Sequence, residues 1–288
     1  MTIFRKLVAF IRRTFQLWGE AKAARKAAAL SYYAMLSLSP SLVLAIAIAA
    51  PLFAEQTVEA EIVELVGEFT SQEVGDTVAG LIENASSSET GFAATIIGVV
   101  ILIFGASSVF SQLYDTINEM WGIPINRRSG FLYTLFQRAV GIGMVLILSL
   151  ILLSLMIFST ILTLFAELIS SWVSVTPTFL FYIERFFSLL LMPIVFATMF
   201  RFLPDIHVKW SDVIGAAIVT AVLITFGRSL IEIYINLSST SAVYGAAGSL
   251  VILLTWIYLT SMIVFYGAAF SRAYAEMFGS QKSGEEVG

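Results

Sequence analysis

Val140–Phe165 reads VGIGMVLILSLILLSLMIFSTILTLF, twenty-six residues without a charge. A hydrocarbon core about 30 Å thick takes about 20 apolar residues as helix. Lipid offers the backbone no hydrogen-bond partners, so this run is a transmembrane helix, and no strand-like alternation points to a barrel. Working outward, comparable runs recur near Ala27–Phe53, Phe92–Tyr114, Pro177–Leu203, Ser211–Asn236 and Gly245–Phe270, and the quoted run sits in a span of Arg138–Phe165. The expectation is an all-α polytopic membrane protein with six transmembrane helices. Composition agrees: 58% of residues are hydrophobic and only 12% charged, about half the charge that covers a soluble domain. There is no cysteine, which excludes disulfides, thiolate nucleophiles and Cys-based metal sites.

Lys and Arg orient the spans. Seven precede the first span: Arg5, Lys6, Arg12, Arg13, Lys22, Arg25 and Lys26. Arg127, Arg128 and Arg138, then Arg201 and Lys209, then Arg272 and Lys282, fall at the same end of alternate connections. The opposite connections, 54–91, 166–176 and 237–244, hold none. The positive-inside rule puts both termini in the cytoplasm. The segment AIAIAAPLFA resembles a signal-peptidase site, but the 26-residue leader and the long apolar run predict that it is not cleaved.

The chain divides into an interfacial helix and linker (1–26), a transmembrane domain (27–271) with an acidic outer cap (54–91), and a cytoplasmic tail (272–288). In the first part Phe4, Leu7, Val8, Ile11, Phe15 and Trp18 share one helical face, with Arg5, Lys6, Arg12, Arg13 and Gln16 around it. This predicts an amphipathic helix in the inner headgroup region, its cations on anionic lipid. The cap has nine acidic residues and no basic ones. Ile62, Val66 and Phe69, then Val74, Val78, Leu81 and Ile82, recur at helical spacing, predicting two short helices and a turn at ASSSETG. In the first span Pro40 predicts a kink, with Ser37, Ser39 and Ser41 available to the freed backbone groups. Ser37, Ser41, Ala45 and Ala49 form a small-residue stripe suited to a close helix crossing.

Four charges lie within spans. Glu184 and Arg185 sit about 11–12 Å from the outer end of the fourth, Arg228 about 12 Å and Glu232 about 6 Å from the outer end of the fifth, at 1.5 Å per residue. A net-neutral network across these two helices follows, either lining a wet cavity or acting as a sealed clamp. Intramembrane ionisable groups are functional candidates by default, and a buried quartet needs mutual pairing to be tolerated. Tyr182, Tyr234, Asn236 and Tyr244 would form the polar mouth of such a cavity, and an arginine there would hold a phosphate or carboxylate.

Several stretches together resemble the YihY/virulence factor BrkB family of bacterial inner-membrane proteins, long labelled ribonuclease BN. They are AALSYYAMLSLSPSL, GASSVFSQLYDTINEMWGIP, FRFLPDIHVKW with GAAIVTAVLITFGRSLIEIY, and VYGAAGSLVILLTWIYLTSMIVFYGAAF, ordered from Ala28 to Phe270. The resemblance implies a six-helix membrane protein concerned with transport or envelope-lipid handling. Many members read GAE where this chain has Gly267-Ala268-Ala269, so no role for that glutamate carries over. RNA hydrolysis needs positioned acid–base groups or a metal site. The one histidine, His207, lies in a turn with Asp205 and Asp212 nearby in sequence, and no basic, aromatic groove for RNA is legible. The expectation is a non-enzymatic transporter or flippase-like protein for a lipid-linked or small charged solute, without cofactor, metal or nucleic acid. The alternative is a structural or assembly protein of the envelope.

Overall fold

The structure is a computed structural model that describes residues 3–49, 55–69, 72–87, 92–123, 192–237 and 248–281. Among them every regular element is helical. The helices are α1 (Ile3–Glu20), α2 (Ala23–Ala49), α3 (Glu55–Phe69), α4 (Gln72–Ser87), α5 (Phe92–Met120), α6 (Met192–Phe202), α7 (Trp210–Leu237) and α8 (Gly248–Met277). Four of them, α2, α5, α7 and α8, are long and apolar enough to cross a membrane. The run Val140–Phe165 lies outside the described residues, and the fourth expected span enters them only as α6.

Side-chain contacts sort the helix ends into two groups. The start of α2 meets the end of α5 through the Lys26–Glu119 ion pair. The start of α7 meets the end of α8, where Ser271 Oγ donates to the Asp212 carbonyl at 3.1 Å. The end of α5 meets α8 where Arg272 donates to the Met120 carbonyl. These ends form a basic end, and the opposite ends of α2, α7 and α8 meet the acidic pair α3–α4. The helices overrun the apolar segments here: α5 continues past Tyr114 to Met120 and α8 past Phe270 to Met277. At 1.5 Å per residue α8 is about 45 Å long, so its last turns stand clear of a hydrocarbon core of about 30 Å.

Close crossings use small residues. A Cβ on Gly105 of α5 would lie 2.5 Å from Ser37 Cβ of α2, so α5 crosses the first span at Ser37, the first residue of the predicted small-residue stripe, while Ala45 of that stripe packs on the cap. At Gly267 of α8 a Cβ would lie 2.0 Å from Thr220 Oγ1 and 2.7 Å from Phe200, with Ala268 and Ala269 fully buried beside it. Helix α2 runs through Pro40 without interruption. The Ser37 hydroxyl donates to the Ala34 carbonyl at 3.1 Å, not to the Leu36 carbonyl that Pro40 leaves without its usual donor.

The cap helices bury the face expected of them. Ile62, Val78 and Ile82, joined by Val58, pack on Leu42, Ala45 and Ile46 of α2, while Val74 joins Ile224, Ile231, Ile252, Leu253 and Trp256 of α7 and α8. Helix α4 reaches Ser87, absorbing the first residues of the turn expected at ASSSETG.

Helix α1 departs from the expectation in which face it docks. Phe10, Thr14, Leu17 and Ala21, spaced by three or four residues, are its buried line. Phe10 meets Phe270 edge-on at 4.7 Å and Phe278 at 5.7 Å. Trp18, expected on the lipid face, instead donates its indole N–H to the Met262 carbonyl at 3.2 Å. As residue numbers fall from Trp18 to Phe10 along α1, their partners rise from Met262 to Phe278 along α8, so the helix docks in an antiparallel sense along the last turns of α8. The predicted apolar face, Phe4, Leu7, Val8, Ile11 and Phe15, stays exposed. A short turn, with Lys22 at φ +53°, redirects the chain into α2.

Candidate functional site

Arg228 stands half-buried on α7 in the wall of a cavity of about 1040 Å³. The remaining lining comes from the cap: Gln56, Glu59, Val63 and Glu64 of α3 and Gln72, Ile82 and Glu83 of α4 contribute, with small residues between them. The apolar seams of Val58, Val74 and Val78 hold these helices over the membrane bundle, and Glu59, Glu64 and Glu83 line the cavity. One guanidinium and three carboxylates therefore share a concave space, which suits a ligand carrying both signs of charge.

The predicted quartet divides. Glu184, Arg185, Tyr182 and Tyr244 lie outside the described residues. Glu232, Tyr234 and Asn236 are placed on the backbone of α7, which puts Glu232 one helical turn from Arg228. Glu59, Glu64 and Glu83 were missed as site residues. In sequence they are three of nine acids on a soluble-looking loop, and no spacing rule connects them to residue 228.

The basic end holds a second concentration of polar groups. Arg13 of α1 donates to Glu276 of α8 at 2.8 Å, and Arg272 donates to the same carboxylate at 2.7 Å. The hydrogen bond to Glu276 raises the Arg13 guanidinium above its already high ordinary pKa, against partial burial. Gly122, at φ +75°, ends α5 in the left-handed turn that favours glycine. Its Ile123 N–H donates to the Asn118 carbonyl at 3.0 Å. A side chain at Gly122 would also meet the Arg272 guanidinium at 3.2 Å. Asn118 clamps the α6–α7 connection: its Nδ2 donates to the Leu203 carbonyl at 3.2 Å, and its Oδ1 accepts the Asp205 N–H at 2.8 Å. Asp212 is buried in the first turn of α7 and accepts from Ser280 at 2.5 Å. His207 is exposed and Asp205 takes a hydrogen bond from Tyr114.

Residues 14–287 match the family model described as virulence factor BrkB. The chain belongs to the virulence factor BrkB family. Its relatives include a UPF0761 membrane protein of Mannheimia succiniciproducens, 27% identical over 280 residues, 96% of this chain and 92% of the relative. Another, from Psychromonas ingrahamii, is 28% identical over 216 residues, 72% of this chain and 68% of the relative. A third, from Vibrio vulnificus, is 24% identical over 270 residues, 93% and 83% of the two chains. No solved structure matches the chain. The stretch GASSVFSQLYDTINEMWGIP, by which the sequence resembles the BrkB family, has a structural account: Gly105 admits α2, Asn118 holds the α6–α7 loop, Glu119 pairs with Lys26, and Gly122 seats Arg272.

Proposed function

We propose that this BrkB-family membrane protein is a six-span inner-membrane transporter or flippase-like protein for a lipid-linked or small charged solute, with both termini cytoplasmic. The observation that carries the reading is the cavity of about 1040 Å³ between the acidic cap and Arg228. Arg228 receives the anionic group of the solute, and Glu59, Glu64 and Glu83 attract its cationic part. The basic end faces the cytoplasm by the positive-inside rule. Four described helices are long and apolar enough to cross, and the apolar runs Val140–Phe165 and Pro177–Leu203 in the sequence support the count of six. On α1 the exposed Phe4, Leu7, Val8, Ile11 and Phe15 sit beside Arg5 and Arg12, which supports contact with anionic lipid. The reading assigns the chain no catalysis.

The alternative, a structural or assembly protein, draws its support from the apolar seam through Val74, which clamps the cap to α7 and α8. Arg228→Met combined with Glu184→Gln separates the two. A stable, monodisperse variant that loses the cellular phenotype of the wild-type protein supports transport. A variant that loses only stability supports the clamp.

A further inference from the structure

The end of α6 and the loop to α7 place Arg201, His207 and Lys209 around one cavity of about 390 Å³, lined on its other side by Ser280 and Gln281 beyond α8. The turn at Pro204 and the clamp from Asn118 fold this short stretch so that Arg201 and Lys209 share the cavity with the His207 ring. Arg201 does not wave freely: its guanidinium lies 4.5 Å from the Trp210 ring centroid and 5.6 Å from that of Phe202. Stacking of this kind holds the planar group while leaving its N–H donors at the edge. No carboxylate lines this cavity. Asp205 faces a smaller adjoining one of about 280 Å³ and is engaged by Tyr114, and the buried Asp212 is engaged by Ser280.

The rim is apolar. Phe202 is 69% exposed. From Trp210 an exposed stripe continues up α7 at four-residue spacing through Ile214, Ile218, Val222, Phe226 and Leu230. Residues four apart form one ridge that advances about 40° around the helix at each step, and it begins where the basic cavity ends. We infer that this cavity binds the phosphate headgroup of an anionic phospholipid, with Arg201 and Lys209 on the phosphate and an acyl chain lying along the start of the stripe at Trp210, Ile214 and Ile218. A free phosphate would use the cations but not the stripe. The site is distinct from the cavity at Arg228 and stands whether or not that cavity carries a solute.

The test is native mass spectrometry of the full-length protein in neutral detergent, titrated with phosphatidylglycerol or with phosphatidylcholine of the same acyl chains. The wild-type protein should retain phosphatidylglycerol preferentially. Arg201→Gln with Lys209→Gln should reduce that preference about tenfold, whereas Lys22→Gln with Arg25→Gln, at exposed side chains of the turn before α2 and its first residues, should leave the tightest-held lipid in place. If the double variant fails to fold, Lys209→Gln alone, at an exposed side chain, should still lower the preference about threefold. A folded variant with unchanged preference overturns the assignment. So does displacement of the lipid by inorganic phosphate at an equal concentration, which would make the site one for the free anion.

Discussion

Arg13 and Glu276, 263 residues apart in sequence, meet at 2.8 Å and tie the first described helix to the end of the last. The carboxylate is shared, since Arg272 reaches its other oxygen at 2.7 Å. Deleting either partner therefore has unequal consequences. Glu276→Gln leaves two partly buried guanidinium groups facing each other and should cost about 1.5–3 kcal/mol. Arg13→Gln leaves Glu276 paired with Arg272 and should cost under about 1 kcal/mol, as partly exposed pairs do. Thermal unfolding in detergent checks the order, and equal losses would refute the shared-carboxylate account.

Gly105 and Ser37 set the distance between α5 and α2. A methyl group at Gly105 has to displace the Ser37 backbone and Cβ, so Gly105→Ala should destabilise by about 1–3 kcal/mol. Ser37→Gly in the same chain should recover part of that loss. Gly215 of α7 is the internal control: a Cβ there meets nothing within 4 Å, and Gly215→Ala should be neutral or gain up to about 1 kcal/mol. A Gly105→Ala protein as stable as wild type would mean that the crossing is looser than described.

Asn118 supplies one donor and one acceptor to the Leu203–Asp205 backbone, and it is buried. Asn118→Ala strands both backbone groups and should cost about 1–3 kcal/mol. Its local signature is faster amide exchange at Leu203 to His207, measured by hydrogen–deuterium exchange. Unchanged protection in that loop would count against the clamp.

The two faces of α1 should respond differently. Phe10 packs on Phe270 and Phe278, and Phe10→Ala should release the helix at a cost of about 3 kcal/mol or more. Limited trypsin digestion would then cut at Arg12 and Arg13 sooner than in the wild-type protein. Phe4→Ser with Leu7→Ser touches only the exposed face. It should leave trypsin resistance intact while weakening contact with vesicles. Equal trypsin sensitivity for both variants would remove the distinction between the faces.

The membrane class, the apolar spans, the clustering of basic residues at alternate connections and the existence of α1, α3 and α4 were legible in sequence, because length, hydropathy and charge decide them locally. The buried faces of the cap were legible too, since its helices have water on one side and protein on the other and their apolar residues recur at helical spacing. The neighbours of the spans were not. A helix in lipid is apolar toward protein and toward acyl chains alike, so hydropathy carries no direction for α2, α5, α7 or α8. Only the tertiary structure decided that α5 crosses α2 at Gly105, that α1 docks through Phe10 and Leu17 while its stronger apolar face looks outward, and that Glu59, Glu64 and Glu83 share a cavity with Arg228. The same holds for Arg201, His207 and Lys209. Composition shows how many charges there are, whereas a site depends on which of them the turns and crossings bring within reach of one another.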